Sequence, residues 1–358
     1  MNTSTTPEPA SHTSFGKRVL LAAVVLAVML LVAELVIRAT VSQPVPIRFA
    51  QDTSELRQLQ LHHFSDVLTA DPDRFWRLAP GSRLPDTGTK SVGPFFGVIS
   101  NERGFRENRQ LADTKAGDET RILFLGDSCT FGYGVGWDET YVANCEDRLN
   151  EQYPGRRFDC INAGVPGYSL YQGWRVLDVE GARIQPDLVI ACFGFNDRAE
   201  WDGLGDLDHA QLAPPAWLAG SQLAGKLWQL GHARPERSTS TTRPRVSPDE
   251  YRSLLARIQR RTEQLGSQLV LISWCERFQV TTDRNERTPW QFELYQFARR
   301  HQVPVLDLVP QLQDWADEPG QPELFLDIVH VTPATHSRIA ARLVEILRPL
   351  LENGKWSR

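Results

Sequence analysis

From residue 121 onward, short apolar runs alternate with stretches whose apolar residues recur every three or four positions. The runs at 122–125, 158–161, 188–193, 269–272 and 305–308 predict strands buried on both faces. The stretches at 141–153, 170–184, 248–265, 289–301 and 333–350 predict helices. Three of these open on Pro, whose fixed φ suits a first helical turn. Strand–helix alternation of this kind builds an α/β fold, with helices covering both faces of a parallel sheet.

Two regions break that rhythm. Near the N-terminus, a lead rich in Ser, Thr and Pro ends at Lys17-Arg18, and an apolar run over 19–37 follows, interrupted only by Glu34. A membrane-crossing helix needs roughly 20 apolar residues, whereas a signal-peptide core has roughly 7 to 15, so the run predicts an uncleaved anchor. No clear small-x-small site follows, although 39–42 leaves removal open. Lys17 and Arg18 on one side face Arg38 and Arg48 on the other. The basic pair directly flanking a first hydrophobic segment places the short N-terminus in the cytoplasm and the larger part outside.

Residues 40–118 carry little periodicity, many Pro and Gly, and scattered aromatics such as Phe75, Trp76, Phe95 and Phe96. They read as stalk plus decoration, within which Asn101-Glu102-Arg103-Gly104-Phe105-Arg106 either edges a pocket or pads the sheet. Residues 201–247 hold Trp201, Trp217 and Trp228, then a tract over 232–247 of Arg, Ser, Thr and Pro. That tract is a mobile loop, either a solvated insertion or a lid or substrate wall beside the C-terminal end of the third strand.

Composition narrows the function classes. A net charge of -5 with no basic stripe argues against nucleic acid as a partner. The cysteines Cys129, Cys145, Cys160, Cys192 and Cys275 have no CxxC spacing, which argues against zinc, and their odd number precludes complete pairing. Cys145 and Cys160 are either bridged in an oxidising compartment or, more simply, buried free thiols.

The chemistry-bearing motifs follow the predicted strands, where an open parallel sheet binds its ligands. Gly126-Asp127-Ser128-Cys129-Thr130-Phe131-Gly132-Tyr133-Gly134 follows the first strand. Alone it is weak, because Ser at such a junction caps a helix as readily as it attacks a substrate. Asn162-Ala163-Gly164-Val165-Pro166-Gly167-Tyr168-Ser169 follows the second, with glycines that let backbone N–H groups approach a ligand or merely turn the chain. Gly194-Phe195-Asn196-Asp197 follows the third and supplies an amide able to cap a helix or donate to an oxyanion. Asp327-Ile328-Val329-His330 precedes the last helix, a spacing that lets a carboxylate fix an imidazole while the other ring nitrogen takes a serine proton.

Taken together, these four blocks resemble the GDSL/SGNH hydrolase superfamily over roughly residues 121–350. The resemblance implies a flavodoxin-like three-layer α/β/α sandwich with a five-stranded parallel sheet. It implies Ser128 as nucleophile, His330 as general base and acid, and Asp327 as its orienting carboxylate. It also implies an oxyanion hole from the Ser128 and Gly167 backbone N–H groups and the Asn196 side chain, with Gly164 ranked below Gly167. No metal or organic cofactor is required. One departure is Thr335, where the family often carries Gly before a His, here His336; it affects a helix turn more than the chemistry. Cys129 is no rival nucleophile, because adjacent side chains point differently and no second His serves it.

The expected organisation is a tail over 1–18, an anchor over 19–38, a stalk and decorating segment over 39–118, and a hydrolase domain over 119–352 with an insertion at 201–247. The expected function is a serine esterase acting on an O-acyl or O-acetyl group of a carbohydrate or on a lipid ester. The alternatives are an O-acyltransferase acting on cell-surface polysaccharide and a non-catalytic carbohydrate-binding or scaffold protein. Trp174, Trp201 and Trp290 either stack on sugar rings or, more simply, pack in a core.

Overall fold

The computed structural model describes residues 15–40, 67–84, 98–200, 203–212, 221–231 and 243–353. They fall into two units, Met1–Gln43 with Leu212–Pro235, and Pro44–Gln211 with Glu236–Arg358.

Helix α1 (Phe15–Thr40) opens the described chain. Two short antiparallel pairs follow, β1 (Leu68–Asp71) with β2 (Phe75–Leu78) and β3 (Arg83–Leu84) with β4 (Val98–Ile99). Then come β5 (Glu119–Gly126), α2 (Ser128–Phe131), α3 (Tyr141–Gln152), β6 (Arg157–Gly164), α4 (Leu170–Ile184) and β7 (Leu188–Cys192). Helices α5 (Asp206–Leu212) and α6 (Gln222–Gly231) occupy the insertion. The chain closes with α7 (Pro248–Gln264), β8 (Gln268–Ser273), α8 (Arg277–Thr281), α9 (Pro289–His301), β9 (Val305–Asp307), α10 (Leu308–Ala316) and α11 (Pro333–Asn353).

In the larger unit five parallel strands run in the order β6-β5-β7-β8-β9. Alternation along β5 sends Leu123 and Leu125 to one face, where Val176, Leu177, Leu254, Ile258 and Phe297 cover them. Ile122 and Phe124 go to the other face, under Leu149, Leu312, Ile339 and Leu343. This is the three-layer α/β/α sandwich of the SGNH hydrolases, as the alternation of runs and periodic stretches predicts. Gly126, last in β5, pairs with Gly164 of β6 on one side and Cys192 of β7 on the other. The three strands therefore end level, and the loops after them open at one edge where the strand order reverses.

Local sequence sets the helix starts. Ser247 and Glu250 cap α7 reciprocally, the Ser247 N–H donating to Glu250 Oε2 at 2.8 Å, and Pro248 occupies the first turn. Thr288, Pro289 and Gln291 repeat the device on α9. One expectation is revised at the fifth strand, which ends at Asp307. The Asp307 carboxylate accepts from the Val309 N–H at 3.0 Å, so Leu308 begins α10 instead of ending a strand.

The decorating segment is packed, not merely appended. Trp76, Leu78 and Phe105 lie in the same buried cluster as Leu123 and Leu125. Phe95 and Phe96, the stalk over 41–66, and much of the 232–247 tract lie outside the described residues. The described end of that tract is not a solvated loop, since Arg245 and Val246 are buried. All five cysteines are buried and unpaired. In the smaller unit, α1 is long and apolar enough, by length and composition, to cross a membrane, and none of its residues is buried.

Candidate active site

Ser128 opens α2 directly after the end of β5. Asp127 caps that short helix, its carboxylate accepting from the Cys129 N–H at 2.8 Å. The nucleophile candidate thus stands on a sharp strand-to-helix junction, at a helix start where backbone N–H groups have no i−4 carbonyl to reach.

His330 is brought to Ser128 from the far end of the sequence. Its Nε2 lies 2.8 Å from Ser128 Oγ, and its Nδ1 lies 2.6 Å from Asp327 Oδ2. Asp327 Oδ1 accepts from the N–H groups of Val329 at 2.8 Å and His330 at 2.7 Å, so one tight turn fixes the carboxylate against the ring. Burial disfavours the Asp327 charge, but the hydrogen bonds from the His330 ring and these two N–H groups outweigh it and hold the carboxyl below the usual range. An ionised carboxylate only accepts, so Nδ1 carries the ring proton and Nε2 presents a lone pair to the serine hydroxyl. The Tyr133 ring lies 4.5 Å from the imidazole, centroid to centroid, and limits its swing.

The second block forms the turn between β6 and α4. Asn162 Nδ2 donates to the Thr130 carbonyl at 3.0 Å, while its Oδ1 accepts from the Gly164 N–H at 3.0 Å. A Cβ at Gly164 would lie 2.3 Å from the Phe131 backbone nitrogen, so this glycine lets the strand end press on the nucleophile helix. Gly167 has φ +79°, a left-handed conformation that favours glycine. In the third block, Asn196 Nδ2 donates to Asp127 Oδ2 at 2.9 Å, which orients the amide toward the nucleophile junction. Asp197 joins the blocks, accepting from the N–H groups of Leu170 at 2.9 Å and Gly194 at 3.0 Å. Burial pushes its carboxyl up to about 7, against the Leu170 N–H and the Arg245 charge.

Cys129 points away from this arrangement, its Sγ 3.9 Å from the Val329 carbonyl. Burial and then the neighbouring Asp127 charge push its thiol well above the usual range, leaving no thiolate for attack. Among the described residues, no cluster of His, Cys, Asp and Glu is arranged to hold a metal ion.

The GDSL-like Lipase/Acylhydrolase family model matches residues 124–338, a span that contains all four blocks. The chain belongs to this family. It is a serine hydrolase of the GDSL/SGNH type, acting on ester bonds. No curated protein matches the sequence. Solved structures similar to it include an alpha/beta hydrolase enzyme from the metagenome of Lake Arreo, Spain, 20% identical, covering 66% of this chain and 98% of that one with a TM-score of 0.45. An acetyl xylan esterase is 15% identical, covering 63% of this chain and 98% of that one, TM-score 0.44. An acetyl xylan esterase from Geobacillus stearothermophilus is 18% identical, covering 66% of this chain and 97% of that one, TM-score 0.43.

Three contributors to the hydrolase's site were not singled out from the sequence. Arg245, in the insertion, donates to the Gly167 carbonyl at 2.6 Å and to Gln172 Oε1 at 2.6 Å, and is paired with buried Asp206 at 2.9 Å. Trp76 Nε1 donates to the Pro166 carbonyl at 3.1 Å, so the decorating segment braces the same turn from another side. Arg106 is buried and donates to the carbonyls of Phe131, of Gly132 at 2.8 Å and of Val135 at 2.7 Å, holding the turn behind the nucleophile helix. Within the Asn101–Arg106 segment, Phe105 packs in the buried cluster beside the sheet, while Arg106 braces the turn after α2. Nothing in spacing signals these contacts, because each joins segments far apart in the chain. The guanidinium groups of Arg175 and Arg257 both lie against the half-buried Trp174 ring, and Trp290 Nε1 donates to the Val246 carbonyl at 2.8 Å. Trp201 lies outside the described residues.

Proposed function

We propose that the chain is a membrane-anchored, extracytoplasmic serine esterase that removes an O-acyl group, such as an acetyl group on a carbohydrate, or cleaves a lipid ester. The observation that carries the reading is the relay Asp327–His330–Ser128, with contacts of 2.6 and 2.8 Å. His330 Nε2 takes the hydroxyl proton as Ser128 Oγ attacks the ester carbonyl. The oxyanion forms against the Ser128 and Gly167 backbone N–H groups and the Asn196 amide. His330 then protonates the leaving alkoxide, which departs as the alcohol, and an acyl-enzyme remains. Water, deprotonated by the same nitrogen, hydrolyses it and regenerates the hydroxyl. Asp327 keeps one tautomer throughout and stabilises the imidazolium between steps.

Residues 119–352 carry this chemistry, and α1 is the anchor, entering with Lys17 and Arg18 on the cytoplasmic side. The test is release of acid from short-chain aryl esters and acetylated xylan by the full chain beside its Ser128→Ala variant. Turnover lost in the variant supports the esterase. Turnover equal in both contradicts the assigned nucleophile, and turnover seen only when a sugar acceptor is supplied favours acyl transfer.

A further inference from the structure

The insertion carries a second feature, within the smaller unit. Helix α6 packs against α1, and its first turn is held by Glu34, the one acid in the apolar run of that helix. Glu34 Oε2 accepts from Ser221 Oγ at 2.8 Å and from the Leu223 N–H at 2.9 Å, while Oε1 is paired with Arg38 Nε at 2.7 Å. The carboxylate thus satisfies the opening N–H and hydroxyl groups of α6 and complements the positive end of its dipole. Ser221 in turn caps the helix, its Oγ accepting from the Ala224 N–H at 3.0 Å.

We propose that α6 is a lipid-contacting helix, lying in the bilayer interface beside the outer end of α1. This rests on the reading of α1 as an anchor. A helix of 26 residues, at about 1.5 Å per residue, exceeds the roughly 30 Å hydrocarbon core. Glu34 lies one turn before Arg38, close to the outer boundary. A charged carboxylate is costly there unless paired and hydrogen-bonded, and it is both, its side chain only 15% exposed. The α6 sequence brings Leu223, Leu227 and Trp228 to spacings of four and five residues, on one side of the helix. Leu227 is 57% exposed, on a helix packed against one in which no residue is buried. Tryptophan and leucine beside a capped, charge-paired end are the composition of an interfacial helix, and the partner that fits is the acyl-chain and headgroup boundary of a bilayer. The same insertion carries Arg245, so the membrane-docked helix and the brace on Gly167 belong to one segment of sequence.

The experiment uses the full chain in proteoliposomes, with an environment-sensitive fluorophore on one introduced cysteine. The native cysteines are all buried, which confines labelling to the new site. Leu227→Cys is compared with Val28→Cys in α1 and with Phe292→Cys, whose parent side chain is exposed on the larger unit. The proposal expects loss of emission on adding doxyl-labelled lipid at positions 28 and 227 and no loss at 292. Quenching at 28 but not 227 overturns the docking of α6 and leaves the anchor standing. Quenching at neither overturns both. Adding Glu34→Ala to Leu227→Cys is expected to reduce quenching at 227 with no change at 28 in the matching pair; unchanged quenching at 227 overturns the part assigned to Glu34.

Discussion

Arg245 Nη1 donates to the carbonyl of Gly167 at 2.6 Å, joining residues 78 apart in the chain. The Gly167 N–H shares a peptide plane with the Pro166 carbonyl, which accepts from Trp76 Nε1 at 3.1 Å, so Arg245 and Trp76 brace the two peptides that flank Gly167. Asp206, fully buried, fixes Arg245 through its paired carboxylate.

Arg245→Lys keeps a charge for Asp206 but lacks the planar fork that also reaches Gly167 and Gln172. The expected result is a fall in kcat by about 10- to 100-fold, the order a displacement of roughly 1 Å at a catalytic group produces, with KM little changed. Arg245→Ala leaves the Asp206 charge buried and unpaired, and should also destabilise by about 3–5 kcal/mol. Steady-state kinetics with an aryl ester and thermal melting of both variants separate the two effects.

The roles proposed for Asn196 and Asp327 differ. Asn196→Ala removes one oxyanion donor and should lower kcat by about 100- to 1000-fold without a comparable rise in KM. Asp327→Asn can donate to His330 Nδ1 and so favours the wrong tautomer, for which a loss of about 10⁴ in kcat is expected. Equal, small losses in both variants would contradict the assigned roles.

His336 offers a pH test independent of activity. It is buried, its Nδ1 accepts from the Tyr141 N–H at 3.1 Å, and burial followed by the Arg106 charge pushes its pKa down to about 3. An unfolded histidine titrates near 6.5, so between these values the unfolded chain binds the extra proton and stability falls as pH drops. Buried carboxyls such as Asp197 act in the opposite sense, so the difference isolates His336: the melting-temperature advantage of the wild type over His336→Asn, followed by tryptophan fluorescence, should shrink from pH 7 to pH 5.

Gly164→Ala tests the pressing of β6 on the nucleophile helix. A new Cβ within 2.3 Å of the Phe131 nitrogen must push backbone, not a flexible side chain. Destabilisation of about 1–3 kcal/mol is expected from such overpacking, together with reduced turnover, because Ser128 moves with α2. Denaturant melts and the aryl-ester assay on one preparation would read both.

The sheet was legible because a strand buried on both faces reads as an uninterrupted apolar run, and Ile122–Leu125, Leu188–Cys192 and Leu269–Ile272 have that form. The residues expected at the site lie in blocks that follow those runs, and the level ends of β5, β6 and β7 gather three of the blocks at one edge. What the sequence concealed is long-range and polar. Arg106, Trp76 and Arg245 act through contacts to backbone carbonyls, which impose no residue type on their partners and leave no periodicity. Helix α10 was concealed differently, because Leu308 reads as the end of the apolar run from Val305 until the Asp307 side chain is seen to cap the next turn.

The most direct test of the central claim is covalent trapping of the full chain with an aryl phosphonate, followed by intact mass and peptide mapping. The account predicts one adduct per chain, on Ser128, together with loss of esterase activity, and slow or absent labelling in His330→Ala. Labelling at another residue, or ester hydrolysis undiminished in Ser128→Ala, would contradict it.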